Sequence, residues 1–395
     1  MSSSSEVLRQ HFEEQERALR LPGAVLFSQS RYEIVRMLGE GGMGITCLAD
    51  EISAYNVRRP VVLKFMKDSF EPHRLSRFLN EVQLSVLFSH PNLVPMYRLE
   101  SEALTVNPDK LKIQGLGRRR GHMVFYAVMQ FIDGWNLRDI VRRLRELGIV
   151  LNRDIALFVI GRIARGMHYV HEHCDESGEH LELVHRDISP ENILVDRFGR
   201  IKVSDFGIAM SMKRMTDSGF MRAGNPLYCS PEQLQGTPLD RRTDIYNMGL
   251  IMYFLFTGTD RFGVEARQKN RIDRIRRVMA KSPMPDLTGT DPRLATMCER
   301  CLQLDRARRY DTCEDLANEI DMFFKETGTV VNNEQVEDVL SDLFSPSPKF
   351  VSPRYLAMAG SSVLDQPDFD PRLEERSPES AQPLSTVRLD QDEEE

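Results

Sequence analysis

The stretch His185-Arg186-Asp187-Ile188-Ser189-Pro190-Glu191-Asn192 is followed, thirteen residues after its asparagine, by Asp205-Phe206-Gly207. The two stretches bring two carboxylates, Asp187 and Asp205, close in sequence to the amide of Asn192. Carboxylate and amide oxygens are ligands that divalent cations accept in proteins. A further carboxylate can orient a hydroxyl nucleophile and take its proton. The pattern therefore predicts a metal-assisted site with Asn192 and Asp205 as metal ligands and Asp187 as the catalytic base.

The order and spacing of these residues closely resemble the catalytic loop and the metal-binding motif of protein kinases. Such enzymes act mainly by positioning a nucleotide and neutralising its charge. The resemblance implies an α+β, bilobal protein-kinase fold, with a small, mainly antiparallel β lobe that has one helix and a larger, mainly helical lobe. It also implies ATP and Mg²⁺ as cofactors and a protein substrate, and it covers residues 32 to about 324.

A glycine-rich turn upstream agrees with this resemblance. Residues 38–44, Leu-Gly-Glu-Gly-Gly-Met-Gly, carry the G-x-G-x-x-G pattern, which also occurs in dinucleotide-binding folds. Apolar residues on both sides predict strand–turn–strand here, whereas a dinucleotide fingerprint opens a helix. Glycines let backbone amides approach phosphate oxygens closely. By resemblance, Leu38, Gly39, Gly41 and Gly44 would contact ATP.

A short apolar strand that ends at Lys64 resembles the Val-Ala-Ile-Lys motif of the family. By resemblance, Lys64 would neutralise the α- and β-phosphates and would pair with Glu81 on the next helix. The alternative is that Glu81 is a solvated surface acid. The helix itself is predicted from apolar residues at helical spacing, Phe78, Val82 and Val86.

The resemblance also implies an adenine pocket. Residues 124–129 form an apolar run that predicts a buried strand. Met129, at the end of this strand, would lie at the back of the pocket. Backbone groups of Gln130 and Ile132 would meet the adenine edge. The side chains on either side of the ring would be Val62, Leu38 and Leu194.

Residues 208–232 would form the platform for a protein substrate, ending in Ser-Pro-Glu where the family usually has Ala-Pro-Glu. Asp244 would anchor the backbone of the catalytic loop. Arg309 would pair with Glu232 in a bidentate, partly buried contact.

The arginine directly before the catalytic aspartate, Arg186, predicts a site for a phosphate on this segment. Thr216 and Ser218 lie among several cations, so we expect autophosphorylation at one or both.

Two residues depart from the usual pattern of serine/threonine kinases. Ser189 stands where the family usually has a lysine, and Asn225 stands where it usually has a threonine. In the family these side chains touch each other and the catalytic aspartate, so the double change predicts a compensated pair. Some active bacterial eukaryotic-like kinases share the serine. The chain is thus similar to a bacterial eukaryotic-like serine/threonine kinase.

Two alternatives stay open. One is a pseudokinase that binds nucleotide or a partner without turnover, although such proteins usually lose a metal ligand or the strand lysine, and neither is lost here. The other is a small-molecule kinase of the aminoglycoside or choline type, which also lacks the lysine that Ser189 replaces. The platform ending at Glu232 argues against the second alternative.

Composition predicts a cytoplasmic, mostly globular enzyme. The chain has 395 residues, of which 41% are hydrophobic and 28% charged, which is ordinary for a protein with two cores. The six cysteines show no disulfide or metal framework, and no apolar run is long enough to span a membrane.

We expect five regions: an N-terminal extension (1–30), a kinase N-lobe (31–129), a kinase C-lobe (130–326), a C-terminal helix (327–345) and a disordered acidic tail (346–395). From residue 365 to 395 there are 11 acidic and 3 basic residues, a composition that resists folding and either solubilises the chain or recruits a partner. The basic run 118–120 has no aromatic neighbours, so we expect a solvated loop and no nucleic-acid partner.

Overall fold

The computed structural model of the chain describes two compact units. The described residues are 25–27, 31–40, 44–66, 79, 82–103, 123–175, 177–205, 225–266, 270–281, 284, 286–287, 289–345 and 356–358. The first unit contains the described residues up to Ser89 together with Val94–Phe131. The second unit contains His90–Leu93 and the described residues from Ile132 onwards.

A six-stranded antiparallel sheet forms the first unit, with the strand order β1-β2-β3-β4-β6-β5. Its strands are β1 (Val25–Phe27), β2 (Arg31–Glu40), β3 (Gly44–Ile52), β4 (Arg58–Met66), β5 (Met96–Ala103) and β6 (Met123–Gln130). Side chains alternate between the two faces of a strand, so Val61, Leu63 and Phe65 of β4 share one face. All three belong to the buried apolar cluster that includes Tyr32 and Tyr126.

The helix predicted after β4 is described only in part. Residues 82–85 are helical, and Val82 is fully buried. Val86 lies in a turn and is 40% exposed, so its assignment to the apolar face of the helix is wrong. Val86 still donates its N–H to the carbonyl of Val82 at 3.0 Å, so it belongs to the last turn of the helix, where its side chain is left exposed to solvent. Phe78 and Glu81 lie outside the described residues.

Helices make up most of the described second unit. They are α1 (Leu137–Glu146), α2 (Arg153–His171), α3 (Pro231–Gln235), α4 (Arg242–Thr257), α5 (Gly263–Ala266), α6 (Arg271–Lys281), α7 (Pro292–Cys301), α8 (Cys313–Thr327) and α9 (Asn333–Leu343). Helix α2 packs against both α4 and α8. Helix α4 is buried on all sides from Thr243 to Met252, as expected of a helix that is apolar all round. Within the described ranges, no helix is long and apolar enough to cross a membrane.

Two small antiparallel sheets complete the described second unit. One has the order β10-β9-β7, formed by Ile201–Val203, Ile193–Asp196 and Gly134–Asn136. The other pairs β8 (Ile149–Leu151) with β11 (Leu356–Met358). Strand β11 departs from the predicted disorder of residues 346–395, because its backbone finds hydrogen-bonding partners on β8. The rest of that tail lies outside the described residues.

Helix α9 confirms the short C-terminal helix predicted from the sequence. Phe344, just after α9, stacks on Trp135 of β7 with the ring centroids 4.1 Å apart. The start of α9 lies against Gly199, since a Cβ on this glycine would be 2.1 Å from the carbonyl oxygen of Asn333. Helix α9 therefore covers the turn between β9 and β10, the two strands that follow the catalytic loop.

Replacing Gly199 with alanine is expected to destabilise the second unit by about 2–4 kcal/mol, from a left-handed backbone and a clash with α9. Gly199 has a φ of 70°. Gly148 has a φ of 69° and nothing within 4 Å of an added Cβ, so Gly148→Ala isolates the backbone penalty. Thermal unfolding of both variants measures the difference. Equal losses of stability would mean that packing of α9 on this turn contributes nothing.

Candidate active site

Asp244 on α4 fixes the backbone of the loop that carries Asp187. Its buried carboxylate accepts the N–H groups of His185 and Arg186, each at 2.8 Å. Nε2 of His171 also lies 2.8 Å from Oδ2 of Asp244. Burial alone would raise the pKa of Asp244, but the hydrogen bond with His171 and the nearby charges hold that pKa below its usual value. The predicted anchor is confirmed, and it holds the two residues that immediately precede Asp187 in the chain.

His185 links the catalytic loop to the backbone that leads into Asp205. Its Nε2 lies 3.2 Å from the carbonyl oxygen of Ser204, and its Nδ1 lies 3.3 Å from the backbone nitrogen of Asp187. Because a carbonyl only accepts, Nε2 carries the proton and Nδ1 accepts the Asp187 N–H. Burial lowers the pKa of His185, so the ring stays neutral in this tautomer near pH 7.

Hydrogen bonds from two residues hold the Asp187 side chain in place. Nδ2 of Asn192 donates to the Asp187 carbonyl oxygen at 2.8 Å and to its Oδ2 at 3.0 Å. The backbone N–H of Asn225 also bonds to this carboxylate. Burial raises the pKa of Asp187, and these hydrogen bonds offset the rise only in part. A raised pKa brings a carboxylate closer to the range in which a general base is effective at neutral pH.

Asn192 and Asp205 fit the predicted pair of metal ligands. Because Nδ2 of Asn192 bonds to Asp187, its Oδ1 is the amide atom left for a cation. The Asn192 carbonyl accepts the Ser204 N–H at 2.8 Å, and Asp205 is the next residue. Asp205 has a φ of 58°, a left-handed conformation that is uncommon for aspartate and recurs at functional sites. Two protein oxygens suit Mg²⁺, which keeps water and substrate phosphates as its other ligands.

In the first unit, the sheet register groups three predicted nucleotide-binding residues on one face. Val62 of β4 pairs with Met129 of β6, and Lys64 follows two residues after Val62. Paired residues on neighbouring strands point to the same face, so Val62, Lys64 and Met129 share it. Lys64 is largely buried. Gln130 donates its backbone N–H to the carbonyl of Pro95 at 2.9 Å.

Gly44 is required by the packing of the sheet itself. A Cβ at this position would lie 1.8 Å from the carbonyl oxygen of Phe65, a distance that only a backbone shift could relieve. The third glycine of the predicted phosphate loop therefore has a structural reason to be glycine. Leu38 and Gly39 lie near the end of β2, and Gly41 lies outside the described residues.

Thr46 lies beside the predicted nucleotide-binding residues of the sheet, and the sequence argument did not single it out. It pairs with Gly39 of β2 on one side and with Lys64 of β4 on the other. It therefore shares the face that carries Lys64 and Val62. Counting two residues onward from Gly44 would have identified it, because alternate residues of a strand face the same way.

The other predicted nucleotide contacts are distributed over the second unit and the undescribed residues. Leu194 is half-buried on β9, in register with Asn136 and Lys202. Ile132 is half-buried just before β7. Glu81, the predicted partner of Lys64, lies outside the described residues.

No hydrogen bond joins the side chains of Ser189 and Asn225, both of which lie in the described part of the chain. Asn225 caps the 3-10 helix Pro226–Tyr228, and its Oδ1 accepts the Leu227 N–H at 3.1 Å. This cap turns Nδ2 of Asn225 towards Glu191, whose Oε1 lies 3.4 Å away. Asn225 reaches the catalytic base only through its backbone N–H. The compensation predicted between the two departures therefore does not act through a direct hydrogen bond between these side chains, and it stays a prediction.

A buried ion pair fixes the end of the predicted substrate platform. The guanidinium of Arg309 donates to both carboxylate oxygens of Glu232, at 2.7 and 2.9 Å. The Thr243 hydroxyl adds a third bond to Glu232 at 3.0 Å. Gln233, the next residue of α3, donates to the Arg186 carbonyl at 2.7 Å. The predicted pairing is confirmed, and it connects the end of the platform to the catalytic loop.

The protein kinase domain family matches residues 32–320, and the chain therefore belongs to the protein kinase family. It is 30% identical over 299 residues to the tyrosine-protein kinase MasK of Myxococcus xanthus. It is 27% identical over 301 residues to the serine/threonine-protein kinase PrkC of Bacillus subtilis. It is 28% identical over 290 residues to the serine/threonine-protein kinase PknA of Corynebacterium glutamicum. These similarities, with an antiparallel β unit and a helical unit, confirm the predicted family and fold class.

The three similarities cover 75%, 74% and 72% of this chain. They cover 43%, 40% and 55% of the respective relatives. The chain thus matches about half of the length of these proteins or less.

Proposed function

We propose that the chain is an ATP- and Mg²⁺-dependent protein kinase that transfers the γ-phosphoryl group of ATP to serine or threonine hydroxyls of protein substrates. The observation that carries this proposal is the Asp187 carboxylate, which is half-buried, has a raised pKa and is held by Asn192 and the Asn225 N–H. Two of the three relatives above are named serine/threonine kinases, and one is named a tyrosine kinase.

In this proposal each residue has a separate role. ATP with Mg²⁺ supplies the phosphoryl group and part of the charge neutralisation. Asp187 orients the substrate hydroxyl and accepts its proton. Asn192 and Asp205 hold Mg²⁺, and Lys64 neutralises phosphate charge with Glu81 as its partner. The proposed nucleotide contacts are Leu38, Gly39, Gly41, Gly44, Thr46, Val62, Met129, Gln130, Ile132 and Leu194.

Ser189 leaves the proposed site with one cation fewer than serine/threonine kinases usually have. A preorganised donor near developing charge contributes about 3–4 kcal/mol to transition-state stabilisation. We infer slower turnover but not its loss, because Lys64, Asp187, Asn192 and Asp205 remain.

The two alternative functions have less support. A pseudokinase would not need a base whose pKa is raised and whose carboxylate is held by two hydrogen-bond donors. A small-molecule kinase would not need a platform for a protein substrate, whose end is held here by the buried pair of Glu232 and Arg309.

A transfer assay with labelled ATP tests the proposal and separates the alternatives. The purified chain is incubated with Mg²⁺, [γ-³²P]ATP and a generic protein substrate, and the labelled protein is hydrolysed to identify the phosphorylated amino acid. Label on serine or threonine supports the proposal, and label on tyrosine alone contradicts the hydroxyl type. Transfer only to choline or an aminoglycoside would identify a small-molecule kinase. Nucleotide binding without any transfer would identify a pseudokinase.

We also propose that phosphorylation at Thr216 or Ser218 activates the enzyme. Both residues lie outside the described residues, in a segment that also carries Lys213, Arg214 and Arg222. Burial lowers the pKa of Arg186 to about 10, so this arginine is charged at neutral pH but poorly solvated. A phosphate brings about −1.5 to −2 charge and three acceptor oxygens, which would replace the lost solvation.

Incubation with Mg-ATP is expected to add phosphate to Thr216, Ser218 or both and to raise activity several-fold. Peptide mass spectrometry before and after incubation locates the phosphate. The Thr216→Ala/Ser218→Ala variant should stay at the unphosphorylated rate, while Ser177→Ala, an exposed hydroxyl elsewhere, should respond like the parent. Absence of phosphate between Ile208 and Cys229, or full activity of the double variant, would contradict activation at this site.

A further inference from the structure

Helix α6 carries a row of exposed cations that the proposed kinase reaction does not use. The row is Arg271, Arg274, Arg277 and Lys281, all of them exposed. Residues three and four apart share one side of a helix, so these four form a continuous stripe. Ile275 and Met279 of the same helix are buried, so α6 packs against the protein on a side adjacent to the stripe. We call these four residues the α6 basic stripe.

None of the four cations has a carboxylate within ion-pair distance among the described residues. The one ion pair between described residues on α6 joins Arg276 to Asp273, at 3.2 Å, and Arg276 is not part of the stripe. Arg277 donates to a backbone oxygen, that of Asp273, at 3.3 Å. Like charges at these spacings destabilise a helix. An anionic partner on this surface would remove that repulsion.

The same chain contains a segment of the opposite charge. Residues 365–395 carry 11 acidic and 3 basic side chains, and five of the six residues from 390 to 395 are acidic. This segment lies outside the described residues. The last described residue before it is Met358, which pairs with Ile149 in the second unit, the unit that also contains α6. Residues 358 and 390 are 32 positions apart, and a random coil of that length would have a root-mean-square span of about 30 Å.

We propose that the α6 basic stripe is a binding surface for acidic polypeptide and that its resident occupant is the acidic segment 365–395 of the same chain. The stripe extends over about 15 Å of helix, and six extended residues cover about 20 Å. Covalent connection gives the segment an effective concentration in the millimolar range, which favours it over a free acidic partner of equal charge. Because all the charges are exposed, the contact weakens as salt screens it.

Zero-length cross-linking of the full chain tests this contact, because a carbodiimide joins a lysine amine to a carboxylate only when the two are adjacent. Lys281 reports on the stripe. Lys325 on α8 is also exposed and belongs to the same unit, so it is the matched control. At low salt, mass spectrometry should find cross-links from Lys281 to carboxylates in 365–395 at least five times more often than from Lys325. This excess should be independent of protein concentration and absent in 0.5 M NaCl.

Two variants test whether the cross-links of Lys281 depend on charge attraction between the α6 basic stripe and the acidic segment. Arg271→Gln/Arg274→Gln/Arg277→Gln retains Lys281 as the reporter and should reduce its cross-links to the level of Lys325. Neutralising the cluster 390–395 (Asp390→Asn, Asp392→Asn, Glu393→Gln, Glu394→Gln, Glu395→Gln) should reduce the total yield in the same way. Thermal unfolding should be unchanged in both, since the altered side chains in the stripe are exposed.

Three results would overturn the proposal. Equal yields at Lys281 and Lys325 would mean that the stripe is an ordinary solvated surface. An excess that grows with protein concentration would assign the occupant to a second copy of the chain. Binding of phosphatidylserine vesicles that the triple glutamine variant loses, without the Lys281 cross-link, would assign the stripe to a lipid surface.

Discussion

Replacing Asp187 with asparagine is expected to reduce phosphoryl transfer by about 10²- to 10⁴-fold, the usual contribution of a positioned general base. An amide cannot take the proton of the substrate hydroxyl, although it retains the size of the carboxylate. Affinity for ATP should change little, because the lost interaction acts mainly in the transition state. Single-turnover rates and a nucleotide-binding titration of the variant measure the two effects separately.

The local hydrogen bonds make the asparagine variant structurally mild. Its Oδ1 can still accept from Nδ2 of Asn192 or from the Asn225 N–H, and the loop backbone remains bonded to Asp244. Asp321→Asn is the matched control, because Asp321 is an exposed carboxylate on α8 paired with Arg165. Near-normal turnover of Asp187→Asn, or an equal loss in the control, would remove Asp187 from the role of base.

Contacts between residues that lie in recognisable short motifs could be predicted from the sequence. Three such residues are Asp244, Glu232 and Arg309, each of which lies in a short motif that resembles one of the protein kinase family. The resemblance also implies which group each of these residues contacts. Few other pairings are possible for such buried charged residues, because a buried charge without a partner is energetically costly. The anchor on the catalytic loop and the ion pair at the end of the platform were therefore both predictable.

Features that depend on register or on competing local bonds could not be predicted in this way. The face shared by Thr46 and Lys64 depends on how β3 pairs with β4, and a slip of one residue would reverse it. The contacts of Asn225 depend on its capping of a 3-10 helix, which competes for its side chain. The exposure of Val86 depends on where a helix ends, and sequence patterns locate helix ends poorly.

Replacing Arg309 with methionine is expected to lower the free energy of unfolding by about 3–5 kcal/mol, the usual penalty for leaving one member of a buried ion pair alone. Only 2% of Arg309 and 4% of Glu232 is exposed, so water cannot replace the lost partner. In this variant the Glu232 carboxylate retains one described side-chain hydrogen bond, the 3.0 Å contact with the Thr243 hydroxyl. Denaturant unfolding of parent and variant measures the loss.

Changing the other member of the pair, as in Glu232→Gln, should lower the free energy of unfolding less, because Arg309 keeps neutral hydrogen-bond acceptors. Its guanidinium also donates to the carbonyl oxygens of Gln303 at 2.8 Å and Arg242 at 2.9 Å. Combining Arg309→Met with Glu232→Leu should recover part of the stability lost in Arg309→Met, since apolar side chains of similar volume often replace a buried ion pair without penalty.

An exposed ion pair provides the control for this series. Arg165 pairs with Asp321 at side-chain exposures of 36% and 54%, and Arg165→Met should therefore cost only about 0–1 kcal/mol. The pair would not act as a buried electrostatic unit if Arg309→Met cost as little stability as Arg165→Met. The same conclusion would follow if the double variant lost more free energy of unfolding than Arg309→Met and Glu232→Leu lose together as single variants. We therefore expect Arg309→Met to lose the most stability and the double variant to lose less. The reason is desolvation, because Arg309→Met leaves the Glu232 carboxylate buried without its partner. Removing that carboxylate as well, in the double variant, restores part of the free energy of unfolding.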